Sequence, residues 1–273
     1  MSAFMLQKTR TLSVASGKGG VGKTLLVANL AQCLANKGKR VLIFDGDLGL
    51  ASVDLQFGLK SQSQLLDVIT REKSVSEVVF PLTPMIDLVS GGNGVAEMTR
   101  LSSFQRRTIL DSMSQINRTY DYLLIDTGPG ISDSVMDLSS AAQMVVVLIT
   151  PDPASFADAY ATIKVLHQEK KEKRFAIVCN MVRDDVDGMV LYQKFADVVQ
   201  RFLMVSLDYW GGIPFDSAVK KSVINQRLIV RQDPNGLAAM SIGQISGKVE
   251  QALQRTEQKA GLQFFWEQVV GVA

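Results

Sequence analysis

The sequence predicts a single α/β domain: a mostly parallel, twisted sheet with helices on both faces. Three observations carry this expectation. Short, continuously apolar runs such as Arg40 to Asp45, Tyr122 to Asp126 and Met144 to Thr150 have the length and all-round hydrophobicity of parallel strands buried on both faces. These runs alternate with helix-length amphipathic segments, the pattern of repeated β-loop-α units. Two of them end in carboxylates, Asp45 and Asp126, and a glycine-rich loop follows a third, which puts polar chemistry outside the carboxyl ends of the strands, where such sheets bind ligands.

Composition agrees with one large domain. The chain has 273 residues, 47% of them apolar, enough for a sizeable core. Charge is nearly balanced, 29 Lys+Arg against 27 Asp+Glu, so any DNA contact needs a local basic patch. Two cysteines, Cys33 and Cys179, fall inside a helix and a strand pattern with no Cys-x-x-Cys spacing, as buried thiols in a reducing compartment would. The single histidine, His167, cannot build a histidine metal site alone and reads as a helix-end residue. Met1 to Arg10 is too short and polar for a signal peptide, and no run of 18 apolar residues occurs, so a cytoplasmic protein is expected.

In chain order, Thr11 to Ala15 is expected as a strand, Leu25 to Asn36 as a helix closed by Gly38, and Arg40 to Asp45 as the next strand. A loop with Asp45, Asp47 and Asp54 follows. Short helices are expected over Gln64 to Ile69 and Val75 to Phe80. Ile86 to Ser90 reads as a strand leading into Gly91-Gly-Asn-Gly94, and Ser102 to Asn117 as a helix. The strand Tyr122 to Asp126 runs into Thr127-Gly-Pro-Gly130. Met144 to Thr150 is stopped by Pro151 and Pro153, and Ser155 to Gln168 is expected as a helix capped by Ser155. The charged run Lys170 to Arg174 is a solvated helix end. Phe175 to Asn180 is a strand, Leu191 to Leu203 a helix, and Gly211 to Asp216 a turn closing another strand; Ser217 to Asn225 and Asn235 to Glu257 complete the helices.

The chemistry concentrates in one loop. Gly17, followed after four intervening residues by Gly22-Lys23-Thr24, fits the phosphate-binding pattern G-x-x-x-x-G-K-[ST], between a strand and a helix as that pattern requires. The residues Gly17, Lys18, Gly19, Gly20, Val21, Gly22, Lys23, Thr24 and Leu25 are therefore candidates to cradle a nucleotide's phosphates. Glycines let successive N–H groups turn inward at an oxyanion, Lys23 reaches the β- and γ-phosphates, the Thr24 hydroxyl ligates Mg²⁺, and the helix dipole adds positive potential. Asp126 is placed to hold Mg²⁺ through water, and Gly130 completes an Asp-x-x-x-Gly switch whose backbone N–H senses the γ-phosphate. Asp45 is a candidate for the metal shell or the switch, and Asp54 for either site or helix start.

Lys18 is a second loop lysine that the general pattern does not need. With it, Lys18-Gly-Gly-Val-Gly-Lys-Thr24 resembles the signature of the deviant Walker A family, which includes the MinD and ParA ATPases. The resemblance implies a single-domain P-loop NTPase fold, ATP and Mg²⁺ as cofactors, and slow ATP hydrolysis that depends on dimerisation. Lys18 is then expected to reach across a nucleotide-sandwiched homodimer. Asp47, in Asp45-Gly-Asp-Leu-Gly-Leu50, resembles the catalytic switch I aspartate beside the metal, where an ionised carboxylate orients water rather than acting as a strong base. Asn180 matches the position that hydrogen-bonds adenine, with an Asn closing the strand-loop turn as the alternative. Pro214 and Asp216 resemble a second base-flanking loop, with a plain proline turn as the alternative.

The likeness spans most of Leu12 to Gln226. Gly91 to Met98, Asp126 to Ile131, Thr150-Pro-Asp-Pro153 and Ala157 to Ala161 resemble the flagellar-number regulators called FlhG or YlxH more than MinD. They imply an ATP-gated switch, reversibly associated with the inner face of the cell membrane, with an FlhF-type GTPase and flagellar switch or transcription proteins as partners. No Asp-Gln-Ala-x-x-Leu-Arg activator segment stands in Met1 to Arg10, so stimulation of FlhF by that stretch is not implied. Leu262, Phe265, Trp266 and Val269 gather on one helical face. The chain is accordingly divided into an ATPase domain, residues 1–250, and a C-terminal amphipathic helix, residues 251–273, which in this family serves as a membrane anchor and which can instead dock on a partner or on the protein's own body. Two other functions stay open: a MinD-type division-site regulator, and a ParA-like partition ATPase binding DNA nonspecifically, for which only scattered bases such as Lys220, Lys221, Arg227 and Arg231 appear.

Overall fold

A computed structural model describes residues 9–47, 52–70, 72–91, 119–254, 267 and 269. Eight strands form one sheet: β1 (Arg10–Ala15), β2 (Val41–Gly46), β3 (Phe80–Thr83), β4 (Ile86–Ser90), β5 (Tyr122–Thr127), β6 (Met144–Ile149), β7 (Arg174–Val182) and β8 (Ser206–Pro214), in the order β3-β4-β2-β5-β1-β6-β7-β8. All neighbours are parallel except β3, which runs antiparallel to β4 at the edge. The helices are α1 (Lys23–Asn36), α2 (Val53–Gln56), α3 (Leu65–Ile69), α4 (Val75–Val78), α5 (Asp133–Ser140), α6 (Pro153–Lys170), α7 (Asp185–Phe202), α8 (Ser217–Ile224), α9 (Ile229–Gln232) and α10 (Leu237–Gln254).

The apolar strand runs serve both faces by strict alternation, as a pleated strand must. Val41 and Ile43 of β2, Tyr122 and Leu124 of β5, and Val146 and Leu148 of β6 join the core beneath α1, α9 and α10. Their sequence neighbours turn the other way. Val145, Val147 and Ile149 pack with Ile163 of α6 and Phe195 of α7, while Leu42, Phe44, Leu123 and Ile125 pack with Leu65 of α3 and Leu138 of α5. The predicted doubly covered sheet is therefore the observed one.

Several local expectations are corrected. The short helix ends at Val78, and Phe80 to Thr83 is strand, because the segment folds back on β4 as an antiparallel hairpin across the turn at Pro84 and Met85. Helix α5 has no counterpart among the helices expected from sequence; only four of its residues, Val135, Met136, Leu138 and Ser139, are buried. Helix α6 is capped by Asp152, whose carboxylate accepts from the Ala154 N–H at 3.0 Å with Pro153 in the first turn; Ser155 is buried and its Oγ accepts from Thr150 N–H. Helix α7 starts at Asp185 rather than Leu191, with Asp184 as its cap. Helix α10 runs unbroken through Glu250 to Gln254, with Leu253 in the core, so a division after residue 250 falls inside a packed helix. The expected helix over Ser102 to Asn117 and the apolar positions Leu262, Phe265 and Trp266 lie outside the described residues. No helix among the described residues is long and apolar enough to cross a membrane.

The strand order puts β1 between β5 and β6, and the chain leaves β1 in one direction and returns past it in the other. Its carboxyl end is thus a topological switch point, the place where open α/β sheets leave a crevice.

Candidate functional site

The loop from Ser16 to Gly22 leaves β1 at that crevice and enters α1 directly. Gly22 caps α1 with φ 98°, a left-handed conformation that opposes a Cβ. It is also crowded, since a Cβ there would lie 2.5 Å from Asn180 Nδ2. Gly17 is needed for a different reason: a Cβ would stand 2.3 Å from the Asp158 carbonyl oxygen, so this glycine seats the loop on α6. The other loop contacts are internal. Lys23 Nζ donates to Ser16 Oγ at 2.9 Å, and Ser16 Oγ donates to the Lys18 carbonyl at 2.7 Å. Burial lowers the Lys23 pKa, opposed by the charges of Asp126 and Asp47.

Two carboxylates meet behind the loop because β2 and β5 pair in register, Asp45 beside Asp126. Asp126 is 1% exposed, and its Oδ1 has no hydrogen-bond partner among the described residues. Burial first, and the neighbouring Asp45 second, push its pKa up to about 8 against a hydrogen bond from Thr24 and the charge of Lys23. A buried carboxylate oxygen with an unmet lone pair next to a threonine hydroxyl fits a hard, oxygen-seeking cation such as Mg²⁺. Asp45 is engaged differently. Its carboxylate accepts from the N–H groups of Asp47, Ser52 and Val53 at 3.2, 2.9 and 3.2 Å, pinning both ends of the loop that carries Asp47. Burial still raises its pKa to about 6. Asp54, in the first turn of α2, accepts from Ser61 N–H at 2.7 Å and closes the following loop.

A cavity of about 570 Å³ opens between these parts. Gly19, Gly20, Gly22, Lys23, Thr24 and Leu25 form its phosphate-loop wall, Asp47 and Pro129 another, and Asn180, Pro214 and Asp216 the far side. Its volume suits a nucleotide-sized ligand. Asn180 is buried and already engaged, with Nδ2 donating to the Val21 carbonyl at 2.7 Å and Oδ1 accepting from Met181 N–H at 2.9 Å. One amide hydrogen and one lone pair remain for a ligand. Asp216 accepts from Ala218 N–H at 2.7 Å as the cap of α8.

Gly17, Lys18, Val21, Asp126 and Gly130 do not line the cavity. The Gly130 N–H donates to the Ser16 carbonyl at 3.1 Å. Lys18 turns away to an ion pair with Asp152, both side chains about half exposed. Their mutual hydrogen bond raises the lysine pKa and lowers that of the aspartate. Lining residues not singled out from sequence include Gln56, Met181, Ile213, Phe215, Val219 and Val223. Phe215 lies between Pro214 and Asp216 and is 74% exposed, a large apolar side chain in a polar turn, which is a legible signal. Gln56 reaches the cavity only through the packing of α2.

Cys33 and Cys179 are buried on α1 and β7 in separate core clusters. His167, in the last turn of α6, has Nδ1 2.8 Å from the Glu172 carbonyl oxygen.

Residues 7–250 match the ParA family model, described as NUBPL iron-transfer P-loop NTPase. Among characterised proteins, the chain is 36% identical over 265 residues to the antiactivator FleN of Pseudomonas aeruginosa, covering 97% of this chain and 95% of that one. It is 31% identical over 266 residues to the flagellum site-determining protein YlxH of Helicobacter pylori, covering 96% and 90%. The septum site-determining protein MinD of Pyrococcus horikoshii, solved with Mg-ADP, has the same fold, with a TM-score of 0.69 at 21% identity over 89% of this chain and 97% of that one.

Proposed function

This chain belongs to the ParA family of P-loop NTPases, and on that premise we propose that it is a Mg-ATP-dependent dimerising switch, a slow ATP hydrolase that regulates flagellar number or placement. The observation that carries the reading is one cavity walled by Lys23, Thr24 and Asp47, with the orphaned Asp126 oxygen beside Thr24. The names of FleN and YlxH supply the flagellar context.

In this reading the loop from Gly17 to Leu25 cradles the phosphates, and Lys23 exchanges Ser16 Oγ for the β- and γ-phosphate oxygens. Thr24, Asp126 and Asp47 would hold Mg²⁺. When bound, the cation neutralises charge developing on the phosphoryl oxygens. Asp47, held by its N–H to Asp45, orients the attacking water. Gly130 N–H leaves the Ser16 carbonyl for the γ-phosphate, and Lys18 leaves Asp152 for the nucleotide of a second copy. Asn180, Pro214 and Asp216 flank the base, with Phe215 as an apolar wall.

The C-terminal segment completes the switch as a releasable anchor. Val269 is partly buried against the cluster of Leu42, Phe44 and Leu65, which supports docking on the body in the nucleotide-free chain. Its release on dimerisation exposes the stripe to the inner face of the membrane and to partners of the FlhF-type GTPase or flagellar regulatory class. Because α10 is packed to Gln254, the anchor begins after that residue.

Light scattering and liposome flotation of purified variants test the reading. Lys23→Ala is expected to lose nucleotide binding, and Asp47→Ala to accumulate as an ATP dimer that floats with anionic liposomes unless the chain is truncated after Gln254. A monomeric Asp47→Ala protein at saturating ATP would remove the assigned role of Asp47. ATP-dependent DNA binding without flotation would instead establish a partition ATPase.

A further inference from the structure

A second cavity, of about 330 Å³, lies beside the first, between the end of α2 (Gln56, Phe57) and the turn into α9 (Gln226, Arg227, Leu228, Arg231). Among the described residues no carboxylate lines it. Both arginines are exposed, and neither enters an ion pair or side-chain hydrogen bond among the described residues. Two unneutralised guanidiniums at one concavity are a local positive site in a chain whose overall charge is nearly balanced.

The frame that holds them is rigid. Arg227 N–H donates to the Ser222 carbonyl at 2.9 Å and Arg231 N–H to the Leu228 carbonyl at 3.0 Å. Between them, Val230 N–H donates to Asn29 Oδ1 at 3.2 Å, and Asn29 is a buried residue of α1. The arginine pair is thereby tied to the helix that begins at Lys23. The opposite wall is tied to the nucleotide cavity too, because Gln56 lines both spaces.

We propose that this cavity is a second ligand site, for a small phosphorylated molecule; its coupling to the first cavity rests on the functional reading above. Guanidinium forks match phosphate oxygens bidentately, so Arg227 and Arg231 together offset a dianion. The Gln56 and Gln226 amides supply donors and acceptors for the remainder of the ligand, and Phe57 and Leu228 supply apolar surface. A volume near the lower end of the roughly 300–1,000 Å³ range of small-molecule pockets suits a monophosphate. An occupant braces α2 against the α8–α9 turn, so its binding is coupled to the loop that starts at Asp47, and by linkage the nucleotide state alters its affinity in return.

Equilibrium dialysis with labelled inorganic phosphate and labelled AMP tests this on the full chain, with the first site kept filled by excess Mg-ADP. The expected result is saturable binding of AMP at one equivalent per chain, weakened at least tenfold in Arg227→Gln/Arg231→Gln and weakened by added salt, while ADP affinity stays at its original value. The single variants Arg227→Gln and Arg231→Gln carry the same comparison should the double variant fail to fold. Absence of saturable binding of both probes, or equal binding by the variants, overturns the proposal. Binding of a hexaglutamate peptide in place of both probes overturns it as well, and makes the cavity a docking point for an acidic protein segment.

Discussion

Replacing Gly22 by alanine tests how the phosphate loop is locked to the far side of the cavity. An alanine at φ 98° carries a left-handed penalty of about 1–2 kcal/mol. Its Cβ would also lie 2.5 Å from Asn180 Nδ2, inside contact distance, so the amide must swing away and give up its 2.7 Å bond to the Val21 carbonyl. Losing a buried hydrogen bond costs about 1–3 kcal/mol more. The sum, about 2–5 kcal/mol, corresponds to a melting-temperature drop of roughly 4–20 °C for a domain of this size. Calorimetry of the nucleotide-free protein measures it, and ADP titration reads the accompanying loss of affinity. The second contribution is separable: in an Asn180→Ala background the clash and the bond are both gone, and Gly22→Ala should cost only the backbone penalty. An equal cost in both backgrounds would refute the crowding argument, and a neutral Gly22→Ala would refute both contributions.

The buried carboxylate predicts a pH dependence. Because the folded pKa of Asp126 is raised from 3.8 to about 8, its contribution to the stability of the metal-free protein is fully present below about pH 4 and is lost as pH rises to about 8. Asp45, raised to about 6, acts in the same sense. Melting temperatures in chelator should fall from pH 5 to pH 8, with a shallower slope for Asp126→Asn; parallel curves would show that Asp126 is not the titrating group. The thiols give a third prediction. Burial raises Cys33 to about 11 and Cys179 to about 12, so iodoacetamide at pH 8 should label both at least about 100-fold more slowly in the native protein than in urea, judged by mass spectrometry.

Much of the fold was legible because parallel strands buried on both faces leave a strong trace. The runs at Ile86 to Ser90, Tyr122 to Asp126 and Met144 to Thr150 are recovered within a residue, since an unbroken apolar run of that length has few other stable fates. The phosphate loop was legible for a stricter reason: its glycines, Lys23 and Thr24 are demanded by local geometry and by the chemistry of an oxyanion. What stayed hidden is which of several competing local arrangements the packed structure selects. The β3 strand exists through its pairing with β4, and the cap of α6 belongs to Asp152 because Ser155 is drawn inward to Thr150.

The sequence by itself determined that the chain is a nucleotide-binding α/β domain, because strand periodicity and the phosphate loop are local codes read from neighbouring residues. Only the tertiary structure decided what each carboxylate and amide does there. Asp45 and Asp126 look alike as strand-end aspartates, yet one is spent on three N–H groups of the Asp47 loop and the other keeps an unmet oxygen. Asn180 is bound to the phosphate loop, and Lys18 is held by Asp152. Those assignments are set by strand register and by the packing of loops from opposite ends of the chain, distances that no local pattern in the sequence encodes.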